Sequence, residues 1–519
     1  MGGGLLKTIV IFIVLATLAF VAGSLAADGA KQALVPALIL LGAFALLYLG
    51  KNCWWLVFLV PPVMSALQIS MVKNFPVGYF AGCVILVFWI LMTLMGYVRI
   101  TWNGMLFLDI TSLLFFGYFI VTWVMHPVTL NMLIDERTME GETMIGGTEY
   151  VWCLASIVIY ILISIIPVKT KSVITALKIT FFLSFVVVLY NTTRGVAVHG
   201  YSSELAATER YSPFGAIGFT LYTYICSKYS VLGIVASPCK IIMLVMSAIW
   251  VAMSGFREQM LLLITIAFSS QIIHRQLIPL LLVCLVGYGS LLYLSSEEML
   301  DELPYGVKRV LTAVPGVEIK DDSIERGAQH SLDWRYEMWR WALTPSMGYI
   351  KDYVWGDGFG TNTAQFRWNT VKHHRGILSA GDQKIFAEMG KWHNGPITAL
   401  HRIGGVGLFL LLFWNIAGIY CIFRVCFAYR QSVGYEYVMY ALLPVIGNIV
   451  MFYISAGSFP NQFGLVFSVV VTKVLYSLAI KNGLMQPAFS RKEYVPLIFE
   501  ESIAARQSKP DNFDGVVRA

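Results

Sequence analysis

Apolar residues run along this chain in long blocks, with polar residues largely confined to the gaps between them. The blocks fall at roughly 8–26, 34–50, 54–71, 77–97, 104–125, 150–168, 173–190, 212–228, 240–255, 258–273, 276–294, 402–425, 434–455 and 462–480. Crossing a hydrocarbon layer takes about 20 apolar residues, so these blocks predict membrane-spanning helices. Pro61 and Pro62 interrupt the third block and the eighth to tenth are short, so the expectation is about 12 to 14 spans. Backbone groups inside lipid must pair within the protein, and no block alternates apolar and polar residues as a barrel strand would; this selects helices. The first block ends in small residues, as a signal peptide does. The second follows almost at once, and the first is read as a retained span.

Composition agrees with this pattern. Hydrophobic residues make up 57% of the 519 and charged residues only 13%, against roughly 25% charged in soluble domains. The net charge of +7 is scattered between apolar blocks and reports topology rather than nucleic-acid binding. With the N-terminus inside, Lys51, Arg99, Lys169, Lys171, Lys228, Lys240, Arg275, Arg424 and Arg430 fall on cytoplasmic loops. The acidic 126–149 loop then faces outward. All eight cysteines lie in or beside apolar segments, and none shows disulfide or zinc spacing. The resulting organisation is N-terminal spans over 1–294, one long extracytoplasmic segment over 295–401, C-terminal spans over 402–480 and a polar cytoplasmic tail over 481–519.

The 295–401 segment holds 26 of the chain's 67 Lys, Arg, Asp and Glu residues, and six tryptophans: Trp334, Trp339, Trp341, Trp355, Trp368 and Trp392. So many large aromatics predict a compact cap of short helices rather than a linker. Helical spacing puts Trp334, Met338 and Trp341 on one face, with Arg335 and Trp339 on another. Gly356, Gly358 and Gly360 predict a turn after it. No GxxxxGK run and no GxGxxG entering a helix is present, which argues against an ATP-driven pump.

Candidate chemistry is sparse. Arg257, between two apolar blocks, is either a helix-end anchor paired with Glu258 or a bidentate anion clamp. His393, just before a span, is either a surface residue or a general base. Arg194, Arg210 and Arg335 fall on the predicted outer side, against the positive-inside tendency, where arginines around one cavity would suit a polyanionic, lipid-linked substrate. Asp109 lies within the fifth span and is left outside the core site. The His373, His374 and Arg375 run and the His401–Arg402 pair fit no strong metal spacing.

In order and spacing, these features resemble the O-antigen ligase and O-antigen polymerase superfamily of bacterial envelope glycosyltransferases. The similarity covers about residues 205–425 and rests on three signatures. The first is the turn at Ser254 to Glu258 carrying Arg257. The second is Arg335, Trp339 and Ala342 followed by the Gly356–Gly360 turn. The third is His393-Asn394 followed by Ile397, Leu400, Gly404, Gly407 and Leu408. Arg210 matches the family's arginine before a proline-containing helix start. Phe256, Glu258 and Pro396 depart from the usual pattern, and 14 spans exceed the usual 12.

The resemblance implies a GT-C-like, all-α polytopic membrane protein with one large helical periplasmic loop. It implies a glycosyltransferase of the bacterial inner membrane, active on the periplasmic side without nucleotide sugar or catalytic metal. The donor would be an undecaprenyl-pyrophosphate-linked oligosaccharide. The acceptor would be another lipid-linked repeat unit for a polymerase, the favoured reading, or lipid A–core for a ligase. A flippase and a chain-length regulator are the implied protein partners, and no nucleic acid is expected. His393 and Arg257 would be catalytic, with Arg210, Arg194, Arg335, Asn394 and Trp339 binding substrate. The contrasting class is a lipid-linked oligosaccharide flippase or transporter.

Overall fold

The structure, a computed structural model, describes residues 87–94, 102–130, 144–199, 214–253, 256–296, 299–317, 322–362, 387, 390, 392–455 and 457–487. The expected spans at 8–26, 34–50 and 54–71, most of 77–97, and the tail beyond 487 lie outside these residues.

Helices dominate, as the apolar blocks predict. The helices are α1 (Leu106–Met125), α2 (Thr148–Ile165), α3 (Thr170–His199), α4 (Gly215–Lys228), α5 (Val231–Val235), α6 (Pro238–Ala252), α7 (Arg257–His274) and α8 (Leu277–Ser296). The 295–401 region contributes α9 (Tyr305–Leu311) and α10 (Asp322–Leu343). The C-terminal part holds α11 (Gly395–Tyr429), α12 (Tyr435–Ile454), α13 (Phe459–Gly464) and α14 (Val466–Lys481). Six stretches among the described residues are long and apolar enough to cross a membrane: 106–125, 170–189, 277–296, 395–429, 435–454 and 459–481. This is a multi-pass membrane protein. The shorter apolar helices α2 and α6 match expected spans in position.

The core is built on α11, α12 and α14. Helix α11 packs on α1, α12 and α14, while α7 and α4 pack on α12. Nearly every side chain of α14 is buried, whereas Leu280 is the one buried side chain of α8. An aromatic knot fastens the helices: Phe119 of α1 touches Phe463 at 5.0 Å, Tyr150 at 5.3 Å and Phe359 at 4.9 Å. Phe359 belongs to the Gly356–Gly360 turn, so this knot also anchors the long segment to the bundle.

One small sheet was not expected from the sequence. Strands β1 (Thr129–Leu130), β2 (Met144–Gly146) and β3 (Gly360–Asn362) form it in the order β1-β2-β3. β1 and β2 are parallel; β3 is antiparallel to β2, with Ile145 opposite Thr361. Strands of two or three residues are too short to show a period. Their pairing brings Thr129–Leu130 and Met144–Gly146 together with Gly360–Asn362, just after the Gly356–Gly360 turn.

Helix α11 is broken. Gly404 has φ 64° and ψ −177°, which interrupts the ladder. The groups this frees find partners in the 353–358 stretch. Asp357 N donates to His401 O (2.8 Å) and Gly358 N to Arg402 O (3.0 Å), while Gly405 N donates to Tyr353 O (2.8 Å). The Tyr118 hydroxyl lies 3.0 Å from the Ile403 carbonyl. A backbone break inside a packed helix persists where protein groups satisfy the freed donors and acceptors in this way. Glycine is required here: a Cβ on Gly404 would lie 2.2 Å from Val354 O, and one on Gly356 2.4 Å from Gly404 N. Gly404→Ala is therefore expected to destabilise the protein by at least about 1–2 kcal/mol from the left-handed backbone alone, with the clash adding to it. Gly405→Ala is the matched control, since its Cβ would meet only Tyr353 O, at 3.4 Å. Thermal unfolding of the two variants in detergent checks the difference; equal midpoints would refute it.

Candidate functional site

The helix directions bring the candidate residues to one end. Leu262, near the start of α7, packs on Gly447 in the second half of α12, and Gly395, at the start of α11, packs on Phe452. The starts of α7 and α11 and the end of α12 therefore meet. Ile174, early in α3, contacts Gly434 just before α12, so α3 runs parallel to α12 and carries the backbone of Arg194 toward the same end. Arg210 lies outside the described residues, as do Ser254, Gly255, His373 and His374.

Arg257 opens α7 and is half-buried. Its Nη2 donates to Thr312 Oγ1 at 2.8 Å and its Nε to Arg309 O at 3.4 Å. The guanidinium thus grips the C-terminal turn of α9, where carbonyls carry partial negative charge. α9 can sit there because Gly306 is against the Met253 carbonyl, where a Cβ would come within 2.2 Å. Arg309 and Arg335 lie close enough to Arg257 for their like charges to act on it. None of the three makes a salt bridge among the described residues, and Glu258 does not pair with Arg257. Three partly desolvated guanidiniums, with no carboxylate paired to them among the described residues, are costly unless an anion joins them. Five N–H donors per guanidinium leave donors for that anion after the contacts to Thr312 and Arg309. Arg309 was not singled out in the sequence. Its signal is weak: a basic residue whose helical neighbours Gly306, Val307 and Val310 are buried.

His393 sits at φ 49°. A non-glycine residue there stores about 1–3 kcal/mol, and such strain persists only where the surroundings over-determine it. Here they do. The ring of Trp334 meets the His393 ring at 5.3 Å, edge to face. Trp339 Nε1 donates to Trp392 O at 2.9 Å, and Trp392 Nε1 donates to His401 Nδ1 at 3.0 Å. Asn394 caps α11, its Oδ1 accepting from Ile397 N at 3.0 Å. In this structure, then, Asn394 and Trp339 fix the loop that carries His393. The helical face also differs from expectation. Trp334, Met338 and Ala342 form the buried stripe of α10, with Trp339 and Trp341 both packed alongside it. α10, 22 residues long, is also longer than the short helices expected. It carries both the ring against His393 and, one residue on, Arg335.

Behind the loop lies a buried polar relay. His401 Nδ1 accepts from Trp392, so its proton resides on Nε2, 3.4 Å from Asp357 Oδ2. Asp357 also accepts from Lys351 N and Asp352 N, each at 2.9 Å. Burial acts to raise the Asp357 carboxyl; the His401 hydrogen bond and the two backbone donors outweigh it and hold the group below its ordinary range. A depressed folded value means the stabilisation is complete above the ordinary aspartate range and is lost as pH falls through the folded value. Asp357→Asn is expected to cost about 1–3 kcal/mol at neutral pH. Its stability should converge with the parent's in acid; a constant gap across pH would refute the assignment. Arg402, beside this relay, donates to Gly358 O at 3.0 Å and Gly360 O at 3.3 Å.

Among the described residues no three His, Cys, Asp or Glu side chains converge into a metal-binding group. Fold and composition together define the class: an α-helical multi-pass membrane protein. No protein-family model matches the chain, and no curated protein compared with it is a match.

Proposed function

We propose that this protein is a membrane glycosyltransferase that uses a polyprenyl-pyrophosphate-linked oligosaccharide as donor, most specifically a surface-polysaccharide polymerase. The observation that carries the reading is the cluster of Arg257, Arg309 and Arg335, which makes no salt bridge among the described residues and whose Arg335 shares helix α10 with Trp334, the packing partner of a strained histidine. The family resemblance of the His393-Asn394 and Arg257 signatures supports the same class.

In the proposed reaction an acceptor hydroxyl oxygen bonds to the anomeric carbon of the donor glycan. The anomeric C–O bond to pyrophosphate breaks, and undecaprenyl pyrophosphate leaves with the electron pair. The arginines meet the charge that grows on the leaving pyrophosphate, and as fixed cations they need no reorganisation at that moment. His393 accepts the hydroxyl proton, a role worth about 10²–10⁴-fold. The site faces the periplasm of a bacterial inner membrane, and a flippase that delivers the donor and a chain-length regulator are its partners. Lipid A–core as acceptor would make the same chemistry a ligase.

The break in α11 supports a second reading, because discontinuous helices are a transporter device. Here, however, residues 353–358 fill the break, leaving its backbone groups occupied. One experiment separates the readings. Purified protein is incubated with undecaprenyl-pyrophosphate oligosaccharide alone, then with added lipid A–core. A ladder of products means polymerase; transfer only with lipid A–core means ligase. Intact donor in both, with movement across liposomes, means flippase and overturns the enzyme assignment.

A further inference from the structure

The opposite end of the bundle carries a second cationic cluster of a different kind. The end of α4, the start of α6, the end of α7 and the start of α12 meet there: Tyr435 donates through its hydroxyl to Lys228 O at 2.7 Å, and Arg430 Nη2 donates to His274 O at 3.2 Å. Lys228 Nζ lies 5.5 Å from the centroid of Tyr229, and Lys240 Nζ lies 4.2 Å from that same ring. Lys228 Nζ is also 5.5 Å from the Tyr224 ring and 3.4 Å from its hydroxyl. Lys178, from α3, approaches Tyr437 at 5.8 Å. None of these lysines makes a salt bridge among the described residues; Glu436 is the carboxylate closest in sequence to the group.

Tyr229 thus gathers two ammonium groups that repel one another. Each ammonium has three donors. Lys240 spends one on Gly233 O at 3.0 Å and Lys228 one on the Tyr224 hydroxyl. Beyond these bonds each ammonium keeps donor capacity that is open to a ligand acceptor. Tyrosine belongs at the membrane–water boundary, and lysine presents a compact, hydrated charge suited to a solvent-facing headgroup. Basic residues between helices at a leaflet surface attract anionic lipid.

We propose that the Lys228–Tyr229–Lys240 cluster binds the phosphate of an anionic phospholipid headgroup. This is independent of the glycosyl-transfer reading, since it concerns the other end of the bundle and does not involve its residues. The test is native mass spectrometry of the full chain, extracted from vesicles of equal phosphatidylglycerol and phosphatidylcholine. The parent protein should retain phosphatidylglycerol several-fold over phosphatidylcholine. K228Q/K240Q should lose that preference, and K228R/K240R, which keeps the charge, should preserve it. K171Q, which removes a charge from the same end of the bundle but outside the cluster, is the control. Equal retention of the two lipids by the parent, or an undiminished preference in K228Q/K240Q, would overturn the proposal. So would displacement of the lipid by inorganic phosphate at matching concentration, because the site would then select free phosphate.

Discussion

Arg257→Ala is expected to lower kcat for the proposed glycan transfer by about 10²–10³-fold, the cost typical of removing one fixed donor from a developing negative charge. KM for the donor should change far less, because the interaction strengthens as the pyrophosphate departs. Arg257→Lys should recover only part of the rate: it keeps the charge but not the planar fork that fits a phosphate. The guanidinium also holds the end of α9 through Thr312 and Arg309. Thr312→Val is therefore the control for that structural contact. It removes the hydroxyl partner while leaving all three arginines in place. A steady-state assay with purified variants checks the set. An R257A protein within threefold of the parent, or a T312V protein as impaired as R257A, would remove Arg257 from the chemistry.

Lys473→Ala is expected to have the largest effect on folding, a loss of about 3–5 kcal/mol, because it strands a carboxylate within the bundle. Lys473 is fully buried on α14, with Nζ 2.7 Å from Asp109 Oδ1. Its ammonium lies over the rings of Tyr160, at 4.0 Å, and Trp102, at 4.5 Å. Asp109 also accepts from the Tyr160 hydroxyl, from Met105 N at 3.0 Å and from Trp102 Nε1 at 3.3 Å. The network ties α1, α2 and α14 together. A K473M/D109L double variant removes both charges and should recover most of the stability, since a buried ion pair adds little over apolar packing. Thermal retention of monodisperse protein in detergent reads both. If K473A alone matched the parent, the pair would carry no structural weight.

The six long apolar helices were legible because the signal is local: enough consecutive apolar residues define a helix whatever it packs against. The chemistry was legible only in part. Arg257 and His393 stand out by residue type at the ends of apolar blocks. Arg309 does not, because what matters about it is a neighbour 52 residues away. Lys473 meets Asp109 across 364 residues, so a carboxylate inside a span could be noticed while its partner could not be read. The break at Gly404 was hidden because glycines near the start of an apolar block also sit in unbroken helices; the glycine was visible, but its positive φ was not. Trp339 packs in the cap and Asn394 caps the helix opened by Gly395-Pro396, both readable by residue type, but the bond from Trp339 to the Trp392 carbonyl depends on one particular backbone path.

The plugged interruption in α11 bears on how the protein is made. The plugging residues 353–358 precede Gly404 in the chain and so leave the ribosome first. When the helix follows, the carbonyls of His401 and Arg402 take their amide donors from Asp357 and Gly358, and they lack those partners until the earlier stretch has docked. Completion of this helix start is thereby coupled to docking of the upstream 353–358 stretch. A deletion within 353–358 would then show itself as stalled insertion and proteolytic clearance of the nascent protein, before any question of turnover arises.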